Sequence, residues 1–220
     1  VSLINVAGML ENSDPGRALG LYEESLGISR ELAAELLGDF QARRDLSVSL
    51  INVAGMLENS DPGRALGLYE ESLGISRELA AELLGDFQAR RDLSVSLINV
   101  AGMLENSDPG RALGLYEESL GISRELAAQL PGNLQALWDL GDAAARLAQL
   151  LPTEDPERIP LWREAAISLR DALAIQPENK ELARMSYYAA LYYADCDPDD
   201  RDEWLAYAAE LAERFGFGKE

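Results

Sequence analysis

The 47 residues from Val1 to Ser47, VSLINVAGMLENSDPGRALGLYEESLGISRELAAELLGDFQARRDLS, recur unchanged from Val48 to Ser94. A third copy begins at Val95 and stays identical through Ala128. A period of this size marks stacked-repeat architectures, in which one unit is a supersecondary element that buries its apolar face only against its neighbours. At 220 residues and 47% apolar, the chain can bury a large core, and stacking draws that core out into a continuous seam. The expectation is one elongated all-α array. Residues 1–141 supply three near-identical repeats, and residues 142–220 supply a divergent repeat and C-terminal capping helices.

Within the unit, Asp86 follows Gly85 as a helix N-cap, and Leu93, Leu97, Val100, Ala101 and Leu104 fall on one helical face. This predicts a helix A over about Asp86 to Glu105. Asn-Ser-Asp-Pro-Gly breaks it, with Ser107 or Asp108 as the next cap and Pro109 at the first helical position. Helix B then runs through Leu130 and carries Ala112, Leu115, Tyr116, Leu120 and Leu126 on its apolar side. Two antiparallel helices on a tight turn make a helical hairpin. Beyond Gln129 the pattern predicts helices from Asn133 to Leu151, Leu161 to Ile175, Asn179 to Asp195, and from Asp199 or Asp200 to Phe215, with a loop over Pro152 to Pro160. That makes about five helix pairs, the last of them aromatic-rich and suited to closing a stack.

Composition narrows the chemistry. The net charge of −20 repels phosphate backbones and anionic membrane surfaces, so nucleic acid and membrane are excluded as partners and a polar or basic protein segment is favoured. There is no His, and the lysines are Lys180 and Lys219, both outside the identical copies. With no Gly-rich phosphate loop either, general acid/base, nucleophilic and phosphoryl chemistry lack their parts, and neither enzymatic activity nor a cofactor is expected. Asp195, Asp197 and Asp199 alternate like a calcium loop, but Pro198 intervenes, Asp200 stands where Gly is required and Ala206 where Glu is required, so no metal is expected. Cys196 has no cysteine to pair with, which fits a reducing, cytoplasmic setting. No run is long and apolar enough to span a membrane. The chain opens in mid-pattern at Val1 and reads as part of something longer.

The segment Trp162-Arg-Glu-Ala-Ala-Ile-Ser-Leu-Arg-Asp-Ala-Leu-Ala-Ile-Gln-Pro-Glu-Asn179 resembles the second helix and exit loop of a tetratricopeptide repeat. Ala65 through Tyr69, Ser72 and Leu73 are similar to the same helix, and Leu50 through Ala54 and Leu57 resemble the first. The 47-residue unit is longer than the usual 34, and looks closest to the kinesin light chain type and to the arrays of bacterial signalling ATPases. The resemblance implies an α-solenoid of antiparallel hairpins with a right-handed superhelix, whose helices A line a concave groove. The function it implies is a protein-interaction scaffold that holds a peptide or helical segment in an acidic groove. The alternatives are a sensor arm of a larger signalling ATPase, and a recently amplified or engineered scaffold with no dedicated ligand.

If Leu50, Val53, Ala54 and Leu57 face helix B, then Val48, Asn52, Gly55 and Asn59 turn toward the groove. The periodic rows Asn5, Asn52, Asn99; Val48, Val95; and Asn12, Asn59, Asn106 are the candidate partner-binding residues. An amide carries donor and acceptor together, so such a row can bond an extended backbone of any sequence. Arg43, Arg44, Arg90 and Arg91 read as solvated or ion-paired with local acids. Gly67 and Gly74 on helix B are expected to be offset by close packing against a neighbouring helix. The Tyr22, Tyr69, Tyr116 series reads as core. Leu3, Val6 and Leu10 are expected to be bare at the N-terminal hairpin and to drive an end-to-end homodimer.

Overall fold

A computed structural model describes residues 2–218, which form ten α-helices and no strand. They are α1 (Leu3–Leu10), α2 (Pro15–Glu35), α3 (Phe40–Leu57), α4 (Pro62–Glu82), α5 (Phe87–Leu104), α6 (Pro109–Gln129), α7 (Leu134–Leu150), α8 (Arg158–Ile175), α9 (Lys180–Cys196) and α10 (Arg201–Phe215). Two compact units divide between Leu115 and Tyr116, inside α6.

In the first unit each helix packs on the next in the chain, from α1 to α5. The boundaries follow from local chemistry. Asp39 and Asp86 accept the backbone N–H of Ala42 and Ala89 at 2.8 Å, which fixes the start of α3 and α5. Asp14, Asp61 and Asp108 accept from Arg17, Arg64 and Arg111 N at 3.1 Å, each one residue ahead of a proline at the first helical position. Gly38 and Gly85 close the α2–α3 and α4–α5 turns at φ +87° and +82°, a region other residues enter only with strain. Leu50, Val53 and Ala54 are fully buried, Leu57 and Tyr69 nearly so.

Serine fills much of the rest of the seam. Ser29 and Ser49 hydroxyls lie 2.9 Å apart between α2 and α3, Ser47 and Ser72 2.7 Å apart between α3 and α4, and Ser76 and Ser96 2.9 Å apart between α4 and α5. All six are buried. Paired hydroxyls let helices approach closely while leaving no buried donor orphaned. On the opposite side, Arg64–Glu23 and Arg30–Glu71 at 2.7 Å link α4 to α2, and Arg111–Glu70 at 2.8 Å links α6 to α4. These pairs are about half exposed and contribute little to stability.

Three expectations change here. Gly67 and Gly74 are exposed, and a Cβ at either would meet nothing within 4 Å, so no close packing offsets them. Arg43 and Arg44 pair across helices rather than locally: Arg43 donates to Glu82 on α4 at 2.9 Å and Arg44 pairs with Asp92 on α5. Finally, Leu3, Val6 and Leu10 are half-buried against α2. The bare apolar stripe is instead Ile28 and Leu32 on α2 with Leu36 at its C-cap. Leu32 is 45% exposed where its counterpart Leu79 is 3%.

In the second unit α7 to α10 pack in chain order, and α7 also touches α9. Asn133 and Asn179 cap α7 and α9 by accepting Ala136 and Leu182 N at 3.0 Å. α8 starts three residues earlier than expected, with Pro160 in its first turn, where a missing N–H goes unnoticed. Arg158 secures that start, its Nε donating to Ala148 O at 3.0 Å and a terminal nitrogen to Thr153 O at 3.1 Å. Asp200 precedes α10 but its side chain caps nothing; it accepts the Tyr193 hydroxyl at 2.8 Å. Gly141 sits where α7 meets α8, and a Cβ there would lie 2.5 Å from Leu169 Cγ.

Candidate functional site

The side-chain caps of α3, α5, α7 and α9, which are Asp39, Asp86, Asn133 and Asn179, set a common register. Asn52, Asn99, Arg146 and Tyr192 stand at one distance from their caps; Val48, Val95, Asp142 and Tyr188 stand one turn earlier.

In the first unit, Asn5 is exposed and Asn52 and Asn99 are half-buried, as are Val48 and Val95. The Asn52 Nδ2 atom is buried and has no hydrogen-bond partner. A buried amide donor left in this way costs about 1–3 kcal/mol. Asn12, Asn59 and Asn106 lie elsewhere: they are exposed in the three-residue turns that follow α1, α3 and α5, off the helix face carrying the first row. The acidic surplus also lies off that face. α3 carries Arg43, Arg44 and Asp45, whereas α4 carries Glu70, Glu71, Glu78 and Glu82 against Arg64 and Arg77.

In the second unit the same register opens into a cavity of about 420 Å³ bounded by α7, α8 and α9. Asp142, Arg146 and Gln149 contribute from α7, Trp162 and Leu169 from α8, and Arg184, Met185, Tyr188 and Tyr192 from α9. Trp162 and Tyr192 stack with ring centroids 4.5 Å apart. Trp162 is 1% exposed, and its Nε1 is buried with no partner. Arg146 donates from Nε to Asp142 at 2.8 Å, and Arg184 donates to Glu181 at 2.7 Å. Burial works against the Arg146 charge, but Asp142 and the Tyr116 hydroxyl outweigh it and hold the guanidinium above its usual range.

The amide row follows from the periodicity of the sequence, whereas the cavity does not, because the aromatic segment reads as a cap. The signal was there in the caps: counting from Asn133 and Asn179 as from Asp86 places Arg146 and Tyr192 on the asparagine register. The Asp195–Asp199 segment serves structure, with the Tyr193 hydroxyl donating to Asp197 at 3.1 Å and Asp199 N donating to Asp197 Oδ1 at 3.0 Å. Among the described residues no cluster of acids or Cys is arranged to hold a metal ion, and no helix is long and apolar enough to cross a membrane.

No protein-family model matches the sequence, and no characterised protein matches it in sequence. Solved structures do match in shape. MamA 41-end from Desulfovibrio magneticus RS-1 is 14% identical with a TM-score of 0.53, over 96% of this chain and 94% of that one. A variant of the Podosopora anserina putative kinesin light chain nearly identical TPR-like repeats is 18% identical with a TM-score of 0.53, over 97% and 94%. With ten helices in a repeat arrangement, this chain has the fold of the tetratricopeptide-like helical repeats.

Proposed function

We propose that this chain is a non-enzymatic protein-interaction scaffold of a reducing, cytoplasmic compartment, which holds an extended partner segment along the asparagine register of α1, α3 and α5. The similarity to tetratricopeptide-like proteins favours a protein partner. One observation carries the mode of binding: Asn52 Nδ2 is buried without a partner, as expected of a donor kept for a ligand. Recognition runs through amides rather than charge, because the acids are concentrated on α2, α4 and the turns. The segment is therefore polar and presents its backbone, and its side chains meet Val48 and Val95.

The test is selection of extended peptides from a displayed random library on the whole chain, followed by affinity measurement on a triple variant with Asn5→Ala, Asn52→Ala and Asn99→Ala. Each lost amide bond is worth about 1 kcal/mol, so the triple variant weakens selected peptides at least tenfold. Unchanged affinity in a variant that melts as the parent does would refute the reading.

A further inference from the structure

We infer that the cavity between α7, α8 and α9 binds a carboxylate carried on a planar apolar group. Its volume, about 420 Å³, is that of a small-ligand site. Its floor is apolar and aromatic, and Tyr188 and Tyr192, 51% and 44% exposed, offer ring surface for stacking.

The polar groups are biased toward donors. Trp162 Nε1 can only donate, and it is buried with nothing to donate to. Arg146 holds Asp142 through Nε and also meets the Tyr116 hydroxyl, and Arg184 holds Glu181 through a single nitrogen. A guanidinium carries five N–H donors, so both keep donors for a further acceptor. Among the described residues Asp142 is the one acid lining the cavity, and Arg146 neutralises it. A cation would meet two guanidiniums, and a neutral ring would leave the indole N–H unpaired. A carboxylate answers the guanidinium donors while its ring covers the floor.

The site belongs to the divergent helices. Where α7 has Asp142, Arg146 and Gln149, α5 has Val95, Asn99 and Gly102, which can supply neither the ion pair nor the long donors. The inference concerns residues that the amide row does not use, so the two readings fail separately: the Asn5, Asn52, Asn99 triple variant leaves the cavity intact.

The same chemistry could arrive as a free aryl acid or as an acidic residue next to an aromatic one in a protein. Calorimetric titration of the whole chain with 2-naphthoate and with N-acetyl-Phe-Asp amide separates them, the tighter probe naming the source. The neutral 2-naphthalenemethanol is the control. Arg146→Gln and Arg184→Gln should each weaken the tighter acid about tenfold or more, as loss of a charge-assisted bond does, and leave the alcohol unchanged. Trp162→Phe keeps the ring, removes the N–H and should weaken the acid selectively. The inference is overturned if neither acid binds, if the alcohol binds as tightly as the acid, or if both arginine variants bind as the parent does.

Discussion

Glycine shows how far a residue can be read without its neighbours. Gly67, Gly74 and Gly141 look alike in the sequence, each inside a helix. In the structure the first two face open space, while a Cβ at Gly141 would lie 2.5 Å from Leu169 Cγ and 2.9 Å from Cδ2. Substitution by alanine should therefore have opposite signs. Gly67→Ala and Gly74→Ala each gain about 1 kcal/mol, because alanine restricts the unfolded chain and clashes with nothing. Gly141→Ala loses about 1–3 kcal/mol as α7 and α8 are forced apart. Denaturant unfolding of the three variants checks this, and a common sign would contradict the packing described. No local pattern separates these positions, since what decides them is a side chain on another helix. Asn52 is a similar case: its periodicity was visible, but its unpartnered nitrogen depends on what surrounds it.

At the scale of elements the helices were legible to within a few residues because their ends are set by local chemistry. An aspartate or asparagine cap, a proline at the first position and a positive-φ glycine all sit in the sequence where they act. The serine seam was not legible. Ser47, Ser49, Ser72, Ser76 and Ser96 look like surface residues by type, and only the pairing of helices shows that each hydroxyl meets another. The tyrosines join the two helices of each hairpin in a way that periodicity half revealed. They are core residues, as the pattern implies, but the Tyr22 hydroxyl also donates to Glu11 and that of Tyr69 to Glu58, at the turn end of the preceding helix. Burial, then the adjoining carboxylate, raises the Tyr22 phenol to about 12 and moves Tyr69 the same way. In the unfolded chain both titrate near 10. The folded state thus binds more protons than the unfolded state above about pH 10, so the stabilisation present below that pH is lost as pH rises toward 12. The urea midpoint should fall across this window, and Tyr22→Phe with Tyr69→Phe should flatten the fall. A midpoint that rises with pH would contradict the assignment.

At the scale of the whole chain, exact repetition makes one site visible by comparison with its own copies. Leu79 is 3% exposed and its counterpart Leu32 is 45% exposed, and with Ile28 and Leu36 it forms an exposed apolar stripe. We propose that a second copy of the chain covers it, stripe against stripe, because two identical apolar faces related by a twofold axis satisfy each other at once. The net charge of −20 on each copy opposes this approach, and added salt removes that opposition over distances beyond about 3 Å at 1 M against about 30 Å at 0.01 M. Sedimentation velocity should therefore show a mass rising above 24.0 kDa with protein concentration, and rising more steeply in high salt. Leu32→Glu places a charge at the centre of the stripe without disturbing a buried side chain, and should hold the chain as a monomer under both conditions. A parent that stays at monomer mass in high salt at the highest attainable concentration would rule the dimer out. So would a Leu32→Glu variant that associates as the parent does, because the contact would then lie elsewhere.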